Sequence, residues 1–443
     1  MKGFEVRPVL SIRGKISLLA DKSISHRAIF LSSIAKGKTG LKNFPANDDC
    51  LSTLAVFKKL GVGIRWKSKN TVEIVGNGLY GLSKARRPIF IAESGTTFRL
   101  LLGVLAGQNF TSKLLAGKSL CARPMLRVTA PLRMMGAKLS AKRSTLKGKP
   151  EEYPPITIIG RPLKPVTYKM PVASAQVKSA ILLAGLFTDG KTTVIEPVST
   201  RDHTERMLKA FKSDIKCHKN KVMVSGGKEL LSPGMILLPG DISSAAFFIV
   251  AAILVPRSEI LIRNVSLNPS RMGAIKILKR MGANIKVSKG QRVKGSKFEP
   301  MGDIVVKSSR LKATVVRKAE VPSLIDELPV LMVATSAAAG KSVFVGVQEL
   351  HLKETDRIKS MCDNLRKMGA DISISKSGSS EQIIIQGVRQ LKGARVSSFG
   401  DHRTAMSMVV AGLAAKGRTK IDDISCINKS FPGFTGVLKS LTK

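Results

Sequence analysis

Asp21-Lys22-Ser23-Ile24-Ser25-His26-Arg27 runs straight into Ala28-Ile29-Phe30-Leu31-Ser32-Ser33-Ile34-Ala35 and ends near Gly37. Small polar residues ahead of a wide apolar face are the mark of a helix start, and glycine marks its stop. Ser23 and Arg27 lie four apart and share one side of the first turn, with Lys22 just before it. Two cations, a hydroxyl and free backbone N–H groups at a helix start make an anion site. A single motif of this kind also reads as an ordinary helix cap. Repetition decides between the two readings.

The design recurs along the chain. Glu93-Ser94-Gly95-Thr96-Thr97, Ala173-Ser174-Ala175-Gln176, Pro239-Gly240-Asp241-Ile242-Ser243-Ser244, Pro322-Ser323-Leu324-Ile325-Asp326 and Gly400-Asp401-His402-Arg403-Thr404 each lead into an apolar run. The starts at Ser23, Ser94, Ser174, Ser243, Asp326 and His402 are 71, 80, 69, 83 and 76 residues apart. Helices apolar all round must be buried. A second landmark keeps step: Lys58-Lys-Leu-Gly-Val-Gly-Ile-Arg-Trp66, Leu132-Arg-Met-Met-Gly-Ala-Lys-Leu139, Lys279-Arg-Met-Gly-Ala-Asn-Ile-Lys-Val287 and Arg366-Lys-Met-Gly-Ala-Asp-Ile-Ser-Ile374. Basic residues end an amphipathic helix, glycine caps it and an alternating strand follows. Lys209-Ala-Phe-Lys-Ser-Asp-Ile-Lys-Cys217 reads as a degenerate copy with Ser213 in the glycine position, and the helix through Val437 and Leu438 fills the sixth slot. The reading is therefore an α/β protein of six repeated β-α-β-α-β-β units, three to a core, in two similar domains. A hinge is expected between Gly234 and Gly240, and the first strand, from Val6 to Gly14, fits either half.

Composition narrows the function. A hydrophobic share of 43% with 23% charged residues suits a soluble globular chain of two or three domains. The start offers no signal peptide, and the longest apolar run, Ile242 to Val255, is too short to span a bilayer. Cys50, Cys121, Cys217, Cys362 and Cys426 are scattered, with no zinc or dithiol spacing, which points to a reduced cytoplasmic protein. Cys121, close to Arg123, reads as a structural thiol. The histidines lack metal-ligand spacing, and no Walker loop or dinucleotide fingerprint occurs. Lys plus Arg is 74 against 30 acids, a formal +44. The cations are spread along the whole chain and aromatics are only 5%, so stacked nucleic-acid recognition is not indicated. Most of this charge is surface bias, with a side affinity for polyanions.

The polar helix starts gather Lys22, Ser23, Arg27, Arg99, Ser174, Gln176, Asp326 and Arg403. Two further segments join them. Cys121-Ala-Arg123-Pro124-Met125 sets an arginine beside a rigid proline, and His351-Leu-Lys353-Glu354-Thr-Asp356-Arg357 sets Lys353 and Arg357 four apart. Arginine suits bidentate binding of phosphate and carboxylate, so these cations imply substrates with several negative charges. Asp326 and Glu354 are then the acids and bases.

Asp-Lys-Ser-Ile-Ser-His-Arg, Ser-Gly-Thr-Thr-x-Arg, Ala-Arg-Pro-Met, Ala-Ser-Ala-Gln-Val-Lys-Ser-Ala, Lys-Glu-Thr-Asp-Arg and Gly-Asp-His-Arg, in this order, resemble the 3-phosphoshikimate 1-carboxyvinyltransferase (5-enolpyruvylshikimate-3-phosphate synthase) family, from Lys22 to Lys429-Ser-Phe-Pro432. The resemblance implies two domains, each of three units around a pseudo-threefold axis, an inside-out α/β barrel. Residues 1–14 and 240–443 would form the phosphoenolpyruvate-side domain and 15–239 the shikimate 3-phosphate-side domain, closing on substrates. The implied reaction moves the enolpyruvyl group of phosphoenolpyruvate to the 5-hydroxyl of shikimate 3-phosphate and releases phosphate, on the route to chorismate and the aromatic amino acids.

The resemblance also assigns residues. Lys22, Ser23, Arg27, Ser174, Ala175, Gln176, Asp326 and Lys353 would hold shikimate 3-phosphate, with Arg201 and Arg99 as supporting charges. Lys22, Gly95, Arg123, Gln176, Arg357, Arg403 and Lys429 would hold phosphoenolpyruvate, and Asp326, Glu354 and Lys22 would move protons. No metal and no organic cofactor is expected; the partners are the two small substrates, with no membrane, no specific nucleic acid and a monomeric chain. Glu93 departs from the neutral amide usual beside the Ser-Gly-Thr turn, where a carboxylate is expected to weaken phosphoenolpyruvate binding or pair with an arginine. This bears on glyphosate, which occupies that site in the family. Glu349 stands at a spot that is polar and variable in related sequences. Two alternatives stand beside this reading: UDP-N-acetylglucosamine enolpyruvyl transferase, whose reactive Cys lies further ahead of its Arg-Pro than Cys121 does here, and a non-catalytic polyanion-binding protein on the same scaffold.

Overall fold

Each apolar run forms a helix, and all but α5 bury at least one polar side chain in the first turn. We number the six α1 (Lys22–Ile34), α2 (Gly95–Ala106), α3 (Ala175–Gly185), α4 (Ile242–Leu254), α5 (Leu328–Ser336) and α6 (His402–Ala414). The structure, a computed structural model, describes residues 3–146, 148–288, 298–377 and 380–442. The chain divides into a terminal unit, Met1–Asp21, Pro239–Val293 and Pro300–Lys443, and a central unit, Lys22–Leu238 with Lys294–Glu299. The terminal unit takes in the N-terminal chain as far as Asp21, beyond the Gly14 expected from the sequence, because Arg13–Ser17 pairs in parallel with Glu259–Ser266.

Each unit keeps its three numbered helices inside and its sheets outside. Among the described residues no sheet closes on itself, so "inside-out" describes the order of the layers. In the central unit, a Cβ added to Gly103 of α2 would fall 2.2 Å from the Ala180 carbonyl oxygen of α3, so the two helix backbones meet where only glycine fits. In the terminal unit, Phe248 of α4 packs on Phe434 with ring centroids 5.3 Å apart, both rings fully buried.

The repeat is plain in the sheets. Ile89–Ile91, Thr111–Ala116, Lys138–Leu146 and Lys149–Ile159 pair in the order first, second, fourth, third, with only the first pair parallel. Sheets from Thr167–Lys169 to Lys221–Ser225 and from Val315–Val316 to Ser380–Gln386 repeat that order. The other two four-strand patterns borrow their first strand. Ala35–Lys42 receives Met235–Leu237 from the end of the central unit, and Glu259–Ser266 receives Arg13–Ser17. In the sixth repeat Phe4–Val6 pairs antiparallel with Thr419–Ile421, where the other repeats carry a hairpin.

One expectation needs correcting. Five amphipathic helices end in the same way: the N–H groups of Gly61, Gly136, Lys212, Gly282 and Gly369 donate to Lys58, Arg133, Lys209, Lys279 and Arg366, and the next N–H closes a longer loop behind. Lys212, not Ser213, occupies the glycine position, with φ at +64° where the glycines stand between +82° and +97°. Ser213 bonds back to Leu208, as Val62 does to Phe57. This is a left-handed helix stop carrying a lysine.

Arg271 organises the start of the terminal unit. Fully buried, it donates to Asp21 (3.1 Å) and to Ser243 Oγ (2.5 Å) and lies 3.6 Å from Asp241 and 3.7 Å from Glu327. Asp21 and Asp241 belong to adjoining chain segments, since Asp21 N–H donates to the Pro239 carbonyl and Asp241 N–H to that of Leu19. Burial, reinforced by the charge of Asp21, pushes the Asp241 carboxyl up to about 7.

Two outcomes follow for stability. Lys212→Gly should stabilise the protein by about 1 kcal/mol by relieving a left-handed side-chain residue, read as a higher urea midpoint. For Asp241, the folded pKa lies above the unfolded one, so the native state holds an extra proton between about pH 4 and 7. Its stabilising contribution is complete below that window and is lost as pH rises through it, at most about 1.4 kcal/mol per pH unit. Asp241→Asn should therefore gain on the wild type in urea unfolding as pH is raised from 5 to 8; parallel curves would contradict the shift.

Candidate active site

The N-terminal turns of the buried helices hold most of the expected residues, and each unit builds its own group. In the central unit, Lys22 opens α1 and donates to Asp49 (2.8 Å), in the first turn of helix Asp48–Lys59. Arg27 is buried one turn on. It donates to the Ser23 carbonyl (2.9 Å), Thr204 Oγ1 (2.7 Å) and Ser179 Oγ (2.8 Å). These three acceptors fix the guanidinium in direction.

A second group forms where α2 and α3 begin. Ser94 caps α2 by accepting from Thr97 N–H (3.2 Å), and Ser174 caps α3 by accepting from Val177 N–H (3.4 Å). Arg99 donates to Gln176 Oε1 (2.6 Å) and to the Pro124 carbonyl (3.1 Å), while Gln176 Nε2 donates to Thr96 Oγ1 (2.9 Å). A Cβ on Gly95 would lie 2.8 Å from Arg123 Nη1 and 2.9 Å from Arg99 Nη1. Gly95, Arg99, Arg123 and Gln176 are thus brought together, with the bare glycine backbone under two guanidinium groups. Ala175 opens α3. Arg201 lies half-buried in the loop leading to helix His203–Ala210.

That loop has its own anchor. Lys178 of α3 is buried between Glu196 (2.9 Å) and Glu205 (2.6 Å), and Glu196 accepts from Thr200 N–H (3.1 Å). Burial works against the Lys178 ammonium, but the two carboxylates outweigh it and hold its pKa above the ordinary lysine value.

In the terminal unit the centre is Arg357. Buried to 1% exposure, it donates through Nε to Asp401 (2.8 Å), through Nη2 to Glu354 (2.7 Å) and through Nη1 to Asp326 (3.4 Å). Burial alone would disfavour its charge; the three carboxylates override this and push its pKa further up. Arg403 donates to the Asp326 carbonyl (2.9 Å) and lies 3.7 Å from its carboxylate. Asp326 and Glu354 keep partly open side chains, 18% and 20% exposed, so both carboxylates reach solvent from fixed positions. Lys429 donates to the Gly400 carbonyl at 3.4 Å.

Three local details place Lys353, Asp326 and Glu93. Lys353 is half-buried, following the short turn Gln348–Leu352, and Asp356 caps helix Arg357–Lys367 by accepting from Lys359 N–H (3.0 Å). Lys353 therefore lies outside the helix that Arg357 opens. Asp326 does not open α5, which starts at Leu328 after a turn. Among the described residues Glu93 makes no ion pair with an arginine; Ser119 and Leu120 hold its carboxylate.

Sequence reasoning passed over Asp401. One of its oxygens accepts from the backbone N–H groups of Arg403 (2.7 Å) and Thr404 (3.3 Å) while the other takes Arg357, so one carboxylate caps α6 and orients Arg357. The signal was present: Gly-Asp before an apolar helix occurs at both Gly240-Asp241 and Gly400-Asp401. Thr204 and Ser179, which aim Arg27, carry no sequence signal beyond being small hydroxyls. Among the described residues no group of three or more His, Cys, Asp or Glu is arranged to hold a metal ion, and no helix is long and apolar enough to cross a membrane.

Residues 6–438 match the family model for EPSP synthase (3-phosphoshikimate 1-carboxyvinyltransferase). The chain is 46% identical over 443 residues to the 3-phosphoshikimate 1-carboxyvinyltransferase of Geobacter sp. (strain M21), covering 100% of both chains. It is 45% identical over 430 residues to that of Thermoanaerobacter sp. (strain X514), covering 97% of this chain and 98% of the relative. Among solved structures, EPSP synthase from Acinetobacter baumannii superposes with a TM-score of 0.85 at 40% identity, covering 100% of this chain and 98% of the other. Agreement of this extent, in sequence and in the six-repeat architecture, means that this chain belongs to the EPSP synthase family.

Proposed function

We propose that the protein transfers the enolpyruvyl group of phosphoenolpyruvate to the 5-hydroxyl of shikimate 3-phosphate, with release of phosphate. The observation that carries the chemistry is Arg357: one buried guanidinium holds two partly exposed carboxylates, with Arg403 beside them. Anion-binding groups then stand next to proton carriers. In addition, the 5-hydroxyl oxygen bonds to C2 of phosphoenolpyruvate, the hydroxyl loses its proton and C3 gains one. In elimination, C3 gives up a proton and the bond from C2 to the phosphate oxygen breaks, restoring the double bond. Asp326, Glu354 and Lys22 are the proton carriers on this reading, and the arginines stabilise the developing negative charge.

Lys22, Ser23, Arg27, Ser174, Ala175, Gln176 and Arg201 of the central unit, with Asp326 and Lys353, serve shikimate 3-phosphate. Arg357, Arg403 and Lys429 of the terminal unit, with Lys22, Gly95, Arg123 and Gln176, serve phosphoenolpyruvate. The binding residues are uncharged or cationic apart from Asp326, which suits two anionic substrates. The protein works as a cytoplasmic monomer on these small molecules, with no membrane or specific nucleic-acid partner. The whole-chain family match favours neither the sugar-nucleotide acceptor nor a polyanion-binding role.

The test is phosphate release from phosphoenolpyruvate with shikimate 3-phosphate or UDP-N-acetylglucosamine as acceptor. Release with the shikimate ester alone is expected; release with only the sugar nucleotide would overturn the reading. Asp326→Ala and Glu354→Gln should each lower kcat by about 10²- to 10⁴-fold without unfolding the protein. If both folded variants turned over normally, the proton-transfer assignment would fall.

A further inference from the structure

Glu93 stands one residue before the cap of α2 and two before Gly95, yet its carboxylate reaches a different segment. It accepts from Ser119 Oγ (2.5 Å), from Leu120 N–H (2.9 Å) and from Ser119 N–H (3.4 Å). Those donors belong to the four-residue turn Lys118–Cys121, and Arg123 follows at once, its N–H donating to the Leu120 carbonyl (3.1 Å). The backbone supports the same junction. Gly117 N–H donates to the carbonyls of Ala92 (2.7 Å) and Ile91 (3.1 Å). A Cβ on Gly117 would lie 2.5 Å from Glu93 Oε1 and 2.4 Å from the Ala92 carbonyl oxygen, so a glycine is what lets the two segments close.

The Gly95 turn and Arg123 form two walls of one cradle, separated by 27 residues of chain between them. On the far side, Arg99 ties the Arg123 segment through the Pro124 carbonyl. On the near side, Glu93 is the side chain that joins the walls. A carboxylate is suited to this task because both oxygens only accept, and every group facing it here is a donor. A neutral amide would turn its NH₂ toward one of those donors and keep a single accepting oxygen.

We infer that Glu93 is a positioning residue for the enolpyruvyl donor: by clamping the Ser119–Leu120 backbone it holds Arg123 over the Gly95 turn and so sets affinity for phosphoenolpyruvate. This rests on the reading above that Gly95 and Arg123 bind that substrate. The simpler electrostatic view gives the opposite sign, because a negative charge beside an anion site should repel the ligand and its removal should tighten binding.

The test is steady-state phosphate release by the full-length enzyme, varying each substrate, for Glu93→Gln, Glu93→Ala, Ser119→Ala, the Glu93→Ala/Ser119→Ala pair and Arg123→Ala. Loss of charge-assisted hydrogen bonds should raise KM for phosphoenolpyruvate about three- to tenfold in both Glu93 variants, less in Ser119→Ala. KM for shikimate 3-phosphate and kcat should stay within about twofold, and the double variant should be no worse than Glu93→Ala alone. An unchanged or lower KM for phosphoenolpyruvate in Glu93→Gln, a near-isostere that keeps the inference open to refutation if the alanine variant misfolds, would overturn it. So would a parallel shift of all three constants, which marks a merely structural role. If Arg123→Ala raises that KM while the Glu93 variants leave it alone, the inference fails and the binding reading stands. If Arg123→Ala leaves it unchanged, the binding reading fails and takes the inference with it.

Discussion

A helix that is apolar on every side has to be buried, and burying it buries its N-terminal N–H groups as well. That constraint shapes this protein. The starts of α2, α3, α4 and α6 each meet it with a side-chain oxygen, from Ser94, Ser174, Asp241 and Asp401. Polar residues are forced to the same end of every repeat, where the helix dipole also points its positive end. The places where an anion can be bound are therefore a by-product of the fold, and evolution had only to vary the side chains around them.

The buried arginines are the second consequence. Arg27, Arg271 and Arg357 are taken out of water, which is costly unless each donor finds an acceptor. The two units meet that cost differently. Arg27 is held by a carbonyl and two hydroxyls, Ser179 and Thr204, which themselves share a hydrogen bond (2.6 Å). Arg271 and Arg357 each sit among three carboxylates. Neutral acceptors aim a cation through hydrogen bonds, while carboxylates aim it and also supply opposite charge. The formal +44 thus says little about these three arginines, which are buried and individually oriented.

The repeat was legible because it is written twice per unit, as an apolar helix with a polar start and as a basic helix end before a strand. The strand exchange was not legible, since Arg13–Ser17 and Met235–Leu237 carry the same pattern whichever sheet receives them. Lys212 escaped notice for a related reason: a lysine in the left-handed position leaves no glycine to find, and only the Ser213-to-Leu208 hydrogen bond fixes the register. Most candidate site residues were readable as charged or small residues at helix starts. Asp401 was quoted within its motif without a task, because one carboxylate that caps a helix and also holds Arg357 is a fact of three dimensions.

Caps of two kinds divide the labour between the units. In the central unit the caps of α2 and α3 are serines, so the half-positive charge at those helix ends is met by neutral hydroxyls and stays available to a bound phosphate or carboxylate. In the terminal unit the caps of α4 and α6 are aspartates, with Glu327 ahead of α5 and hydrogen-bonded to Ser243. There carboxylates stand at the helix starts, and Asp401 comes within reach of Arg357. One of them, Asp401, is spent on orientation and fully buried, while Asp326 and Glu354 stay partly open. The repeated fold thus accepts either a hydroxyl or a carboxylate at the same position, by a change of one residue type.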